Sequence, residues 1–120
     1  MGDAGSPQGR LRRALAAGDP LLAITAATDV ERLVLDDAVA LAVLLVRGSD
    51  PRASRAAARA AGRFALEQPR VDIDELALLV AGLDRMLGGA AAPLGLRLAL
   101  ERRGLRAACE QLDRSRHGAT

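Results

Sequence analysis

The near absence of aromatic residues is the feature that most restricts how this chain can fold. Phe64 is the only aromatic residue among 120, and half of the sequence is apolar. The core must therefore be built mainly from Leu, Val and Ala. Because each buried methylene contributes about 0.8 kcal/mol, Ala-lined surfaces gain stability chiefly by letting backbones approach closely. Ala and Leu are also the strongest intrinsic helix formers, so the composition favours closely packed helices.

The charged residues bear on the partner and the source of the protein, and the single cysteine bears on its compartment. The 17 Lys and Arg positions are all Arg, against 15 acidic residues, which leaves a formal net charge of +2. A net charge this small gives little support to nucleic-acid binding. The absence of Lys is typical of genes of high GC content and indicates a bacterial source. Cys109 is the only cysteine, so an internal disulfide is excluded and a reducing cytoplasm fits.

The apolar stretches are too short for a membrane-spanning segment. The longest, residues 38–46, is well below the roughly 20 residues that a transmembrane helix needs. The N-terminus lacks the basic and then apolar pattern of a signal peptide. We therefore expect a cytoplasmic protein without a membrane partner.

Gly and Pro signals divide the chain into about five to seven short helices. Breaks are expected at 18–20, 48–51, 69 and 88–89, where Gly, Pro and capping Asp residues cluster. A capping pair at Thr28 and Glu31 either starts a helix or leads through a turn to one near Leu35. Residues 94–112 form one helix or two, depending on whether Gly104 ends the first. We predict disorder over residues 1–7, a single helical domain over residues 8–112 and a frayed tail over residues 113–120.

Two pairs of similar stretches indicate a repeated helical hairpin. Residues 35–39 align with residues 73–77, and residues 63–67 align with residues 97–101. Each copy would join an apolar first helix to an amphipathic second helix. The predicted fold class is all-α, with antiparallel hairpins arranged as a compact bundle or as a miniature HEAT-like stack of paired helices. The alternative is that Ala- and Leu-rich helices resemble one another by composition alone.

Two resemblances to known proteins accompany this pattern. Residues 10–105 are similar to a group of small all-helical, Ala/Arg-rich proteins of high-GC bacteria, through the phrases Leu11-Arg12-Arg13-Ala14-Leu15, Gly18-Asp19-Pro20 and Gly62-Arg63-Phe64-Ala65-Leu66-Glu67. That similarity implies no activity. One helix also resembles the second helix of a HEAT repeat, through Asp50-Pro51, Arg55, Ala57, Ala58 and Gly62. The HEAT resemblance implies stacked helix pairs and covers one helix.

A row of Arg side chains is the strongest candidate for a binding surface. Arg55, Arg59 and Arg63 recur every four residues and share one helix face, and Arg52 extends the row. Guanidinium groups bind carboxylates and phosphates bidentately, so the row can contact an acidic ligand or an acidic partner. The alternative is a solvated helix face opposite an Ala-rich core.

Charge also alternates along the chain. Residues 29–50 carry five acidic residues and two Arg, whereas residues 51–70 carry five Arg and one Glu. Residues 71–90 again carry four acidic residues and one Arg, and residues 91–116 carry six Arg and three acidic residues. If the hairpins stack side by side, one surface becomes basic and another acidic, which favours an acidic partner.

No residue pattern indicates catalysis, a cofactor or a metal site. The carboxylate pairs Asp36-Asp37 and Asp74-Glu75 lie at predicted helix starts, where the helix dipole favours acidic groups. Adjacent side chains on a helix point about 100° apart, so neither pair converges on one point. Glu101 is expected to form an ion pair with Arg97, one turn earlier. We therefore predict that the chain is not an enzyme.

The leading hypothesis is a non-enzymatic protein–protein interaction module, whose partner is another protein or a second copy of the chain. Leu78, Leu96 and Leu100 lie off the main apolar stripes of their helices and are the candidates for self-association, unless neighbouring helices bury them. The second hypothesis is nucleic-acid binding through the Arg row, although a helix-turn-helix phrase and stacking aromatic residues are lacking. The third is an enzyme without a recognisable motif.

Overall fold

Seven α-helices and no strand make up the part of the chain that the computed structural model describes, which is the backbone of residues 5–118 and the side chains of residues 5–114. The helices are α1 (Pro7–Ala17), α2 (Pro20–Asp29), α3 (Leu35–Arg47), α4 (Ala53–Glu67), α5 (Ile73–Leu87), α6 (Leu94–Arg102) and α7 (Arg106–Gly118). The all-α fold class is confirmed. The predicted disorder of residues 1–7 and the predicted fraying of residues 113–120 lie partly outside the described residues, at residues 1–4 and 119–120. Within the described part, no helix combines the length and the apolar character needed to cross a membrane.

Local sequence signals start and end several helices at the predicted positions. Gly18 closes α1 with φ of 70°, a left-handed conformation that Gly adopts without the steric cost of a Cβ. Asp19 then caps α2 by accepting a hydrogen bond from the Leu22 backbone N–H at 3.1 Å. Asp72 caps α5 in the same way, accepting from the Glu75 N–H at 2.8 Å. Each side chain supplies an acceptor that the first helical turn lacks.

The helix boundaries that the sequence left open are resolved. A turn follows α2, and α3 begins only at Leu35, so no helix starts at Thr28. Gly104, with φ of 68°, separates α6 from α7, so residues 94–112 contain two helices. The second of them continues to Gly118, beyond the end that the sequence pattern indicated near residue 112.

The apolar helix α3 lies at the centre of a bundle. It contacts α1, α2, α4, α5 and α7. The side chains that it buries in its middle and last turns are Val39, Ala40, Ala42, Val43, Leu44, Leu45 and Val46. A helix surrounded on several sides needs this all-round apolar character. The radius of gyration is 13.4 Å, as expected for one small domain; that the two hairpins are a true repeat stays a prediction.

Gly residues allow α5 and α6 to approach each other closely. A Cβ added at Gly82 would lie 2.6 Å from the Leu96 Cβ, and one added at Gly95 would lie 2.8 Å from Leu78 Cδ2. Both distances are far inside the usual carbon–carbon contact of about 3.5–4.0 Å. The missing Cβ atoms therefore make room for Leu side chains between the two backbones.

Two of the three leucines predicted for self-association belong to the core. Leu96 and Leu100 are fully buried, so the prediction that they contribute to an exposed patch is wrong for both. Leu78 alone keeps 44% of its surface exposed. The helical pattern of α6 does not reveal that both α5 and α7 pack against it. Its exposed leucines are Leu94 and Leu98 instead.

Candidate functional site

The Arg row borders a groove between α2, α3 and α4. Arg52, Arg55, Arg59 and Arg63 all line this groove, so the structure places together the four residues that the sequence grouped. The groove has a volume of about 450 Å³. Phe64, on another face of α4, is fully buried in the core and does not line the groove.

The floor of the groove is apolar. The apolar side chains that line it come from α2, the following loop, α3 and α4: Ile24, Ala27, Leu33, Ala38, Leu41, Leu45, Ala56 and Ala60. No acidic side chain is among the described residues that line the groove. An apolar floor with a cationic border suits a ligand that has one apolar face and one acidic face.

Arg52 is held at one end of the row by Asp50. Its Nε and Nη2 donate hydrogen bonds to the two carboxylate oxygens at 2.8 and 2.9 Å, and its backbone N–H donates to Oδ1 at 2.8 Å. These hydrogen bonds lower the pKa of Asp50 to about 2 and raise the pKa of Arg52. Because α4 begins only at Ala53, Asp50 closes the preceding turn rather than capping the helix.

Arg63 is held at the other end of the row by Glu67. Its Nε donates to Oε2 at 2.6 Å and its Nη2 donates to Oε1 at 3.2 Å. This hydrogen bonding from Arg63 lowers the pKa of Glu67. Each end of the Arg row is therefore partly neutralised by a neighbouring carboxylate on the same segment of chain.

The two central members of the row are not neutralised in this way. Arg55 and Arg59 are exposed, and neither has a hydrogen-bond or ion-pair partner within the described part of the chain. They lie one helical turn apart, about 6 Å along the axis of α4. Two unpaired guanidinium groups thus stand side by side above an apolar floor.

One carboxylate of each pair at the starts of α3 and α5 has a distant partner that the sequence did not reveal. Asp36 accepts hydrogen bonds from the backbone N–H groups of Ala107 and Ala108, each at 2.9 Å. Asp36 therefore caps α7, a helix that lies 71 residues farther along the chain. Glu75 forms an ion pair with Arg103. The helix-start positions were visible in the sequence, whereas these distant partners were not.

The other polar candidates also have structural explanations. Glu101 is exposed and forms the predicted ion pair with Arg97, with an Nε–Oε1 distance of 2.8 Å. Burial raises the pKa of the Cys109 thiol, so the thiol stays protonated and is a weak nucleophile. Among the described residues, no group of three or more His, Cys, Asp or Glu side chains could hold a metal ion.

No family model, curated protein or solved structure matches the chain. Three features characterise the groove: an apolar floor, two Arg side chains without a partner among the described residues, and the lack of acidic residues along its described lining.

Proposed function

We propose that the chain is a non-enzymatic protein-interaction module whose groove binds an acidic amphipathic helix of a partner protein. One observation carries this proposal: Arg55 and Arg59, both exposed and without partners in the described part of the chain, border a groove with an apolar floor. Helix-in-groove docking is a common way for a small domain to bind a short segment of another protein.

The apolar floor and the Arg border of the groove have different roles in this binding mode. Apolar side chains spaced every three to four residues on the partner helix contact the floor formed by residues such as Leu33 and Leu41. Carboxylates on the flank of the same helix pair with Arg55 and Arg59, which can each form bidentate hydrogen bonds. The floor supplies most of the affinity, and the Arg side chains set orientation and select acidic sequences.

The apolar floor favours a protein partner over a nucleic acid. A nucleic-acid surface would leave Ile24, Leu33 and Leu41 without apolar partners, and the groove has no aromatic side chain on which a base could stack. Asp50 and Glu67 also occupy the guanidinium groups of Arg52 and Arg63. Only two cations remain for phosphates, so duplex DNA would bind with a salt slope of about −2.

We also propose that this binding takes place in the cytoplasm. Cys109 is the only cysteine of the sequence, which fits a reducing compartment. The groove is lined by thirteen described residues, fewer than the roughly 20–30 residues that each partner contributes to a stable protein–protein interface. We therefore expect a transient complex rather than a permanent assembly.

A designed peptide tests the proposal directly. Fluorescence anisotropy measures the binding of a labelled helical peptide with Leu at positions i, i+3, i+4 and i+7 and Glu along its flank. The double variant Arg55→Ala/Arg59→Ala is expected to bind it about tenfold more weakly, because two charge-assisted contacts are lost. A peptide with Gln in place of every Glu should bind the parent with a similarly reduced affinity.

The matched control removes the same charge elsewhere. Arg13 and Arg85 are exposed and lie on α1 and α5, outside the groove, so Arg13→Ala/Arg85→Ala should leave the affinity unchanged. Equal weakening by the two double variants would show that only net charge matters and would contradict the proposal. Tighter binding of a DNA duplex than of the Glu peptide, lost in Arg55→Ala/Arg59→Ala, would favour nucleic acid instead.

A further inference from the structure

A second and more polar cavity lies on another side of α3, between α1 and α7. Its volume is about 410 Å³, within the range of about 300–1,000 Å³ that is usual for small-molecule sites. Its polar lining residues are Arg12, Asp36, Asp37, Arg106, Glu110, Gln111 and Arg114. None of these residues lines the groove, so the cavity is independent of the proposed protein-binding surface.

Two side chains of this cavity are buried and incompletely hydrogen-bonded. Asp37 and Gln111 each keep only 2% of their surface exposed. Gln8 hydrogen-bonds the Asp37 carboxylate, and Gln111 Nε2 donates to the Leu15 carbonyl oxygen. Asp37 Oδ2 and Gln111 Oε1, however, have no hydrogen-bond partner in the described part of the chain. Both of these atoms are acceptors that lack a donor.

A donor in the same cavity lacks an acceptor. Arg114 Nη1 donates to the Ala16 carbonyl oxygen, but its Nε is buried without a partner in the described part of the chain. An unsatisfied buried polar atom destabilises the folded state. Native proteins rarely leave three such atoms beside one cavity, so water or a bound ligand is expected to supply the missing hydrogen bonds.

The remaining polar groups show which chemistry the cavity can accept. Both oxygens of Asp36 already bind backbone N–H groups at the start of α7. Arg12 and Arg106 are exposed and have no hydrogen bond within the described residues, so both can move or turn toward an anionic group. The cavity thus combines acceptors that need a donor with guanidinium groups that can bind an anion.

We propose that this cavity binds a small zwitterion that carries a primary ammonium group and a carboxylate. The ammonium group donates to Asp37 Oδ2 and Gln111 Oε1, which an ammonium with three N–H donors can satisfy together. The carboxylate accepts from Arg114 Nε and from Arg12 or Arg106 at the exposed side of the cavity. Such a ligand supplies both the donor and the acceptor that the buried atoms lack.

The experiment uses the full chain and three amino acids of increasing length as probes: glycine, 4-aminobutanoate and 6-aminohexanoate. Proton–nitrogen NMR spectra report binding at the Gln111 side-chain amide and at the Ala107 and Ala108 backbone amides. At least one probe should shift these signals saturably at about 10 mM. Butylamine and butanoate, which each carry one of the two charges, should bind at least about tenfold more weakly than that probe.

Two variants separate specific binding from damage to the fold. Asp37→Asn removes the negative charge at nearly constant shape, and Arg106→Ala removes an exposed cation; both should retain the parental circular dichroism spectrum. Each should weaken the binding of the best probe about tenfold, whereas Arg13→Ala, outside the cavity, should not. Absence of any saturable shift at the three signals would overturn the proposal, and so would equal binding of the best probe and butanoate.

Discussion

The two predicted hairpins, α3–α4 and α5–α6, each bury an acidic residue at the same helix position, but the pKa values of the two carboxyl groups shift in opposite directions. Asp37 is the third residue of α3 and Glu75 is the third residue of α5, and both are buried. Hydrogen bonding from Arg103 lowers the pKa of Glu75. Burial raises the pKa of Asp37, although the nearby Arg12 opposes that shift. Equivalent positions in the sequence pattern therefore have opposite electrostatic environments.

The difference arises from the helices that cover each carboxylate. Arg103 lies in the turn after α6 and is fixed by its position over the Phe64 ring, 5.8 Å from the centroid, and by a 2.7 Å hydrogen bond to the Pro69 carbonyl oxygen. Its guanidinium group meets both oxygens of Glu75. Asp37 faces α1 and α7, where a cavity lies instead of a fixed cation. A buried carboxylate with a matched cation stabilises the fold, whereas one without leaves an unsatisfied acceptor.

Removal of Arg103 should leave Glu75 without a paired cation, as Asp37 is in the first hairpin. This substitution should lower stability more than any of the others below. In Arg103→Ala, Glu75 stays buried without its cation and loses its hydrogen-bond donors. The lowered pKa of Glu75 means that its stabilising contribution is present above the unfolded-state pKa and is lost as the pH falls through the folded-state pKa. We therefore expect a Tm several degrees lower near neutral pH and a much smaller loss in acid.

The control for this change is its neighbour. Arg102 is exposed and, of the groups that lower the pKa of Glu75, it contributes least, so Arg102→Ala should alter Tm much less than Arg103→Ala. Adding Glu75→Gln to Arg103→Ala should recover part of the loss, because a buried charge is removed. Similar losses for Arg102→Ala and Arg103→Ala, measured by circular dichroism, would show that the ion pair does not distinguish the hairpins.

An added methyl group should be tolerated less well between the helices of the second hairpin than on the first. Gly82→Ala places a Cβ 2.6 Å from the Leu96 Cβ, and we expect it to destabilise the protein by about 1–3 kcal/mol in urea unfolding. Gly62 of α4 has no atom within 4 Å of an added Cβ. Gly62→Ala should therefore stabilise by about 0.4–1 kcal/mol. The opposite order would contradict the close approach of α5 and α6.

Neutralising Asp37 should have a smaller effect of opposite sign to the loss of Arg103. Because its pKa is raised in the folded state, the carboxyl group lowers stability as the pH rises from the unfolded-state pKa through the folded-state pKa. Asp37→Asn should therefore be more stable than the parent near neutral pH and nearly equal to it in acid. Urea unfolding across pH measures the difference; a stability gap that widens in acid would contradict the burial effect.

The smallest expected change in Tm comes from removing equivalent ion pairs on the second helices of the two hairpins. Arg63 pairs with Glu67 alone, whereas Arg97 pairs with Glu101 and also with Asp113 of α7. Arg63→Ala should leave Tm nearly unchanged, as is usual for a single surface pair. Arg97→Ala should lower Tm slightly more because it also removes the ion pair between α6 and α7. A larger decrease in Tm for Arg63→Ala than for Arg97→Ala would show that the Arg97–Asp113 ion pair does not stabilise the fold.

The sequence by itself determined the features that depend on neighbouring residues. The helix boundary at 18–20, the Asp19 cap within it and the Arg97–Glu101 pair all follow from geometry within about one helical turn. The shared face of the Arg row follows from the same periodicity. These features could be predicted because the α-helix fixes which residues lie three and four positions apart, whatever surrounds it.

Only the tertiary structure decided which helix faces meet other helices. Leu96 and Leu100 are buried because α6 is covered by both α5 and α7. The Arg row borders an apolar groove because α2 and α3 supply the other side. Periodicity shows which residues share a face, but the distance and angle between helices decide whether that face meets an apolar side chain, a cation or a cavity.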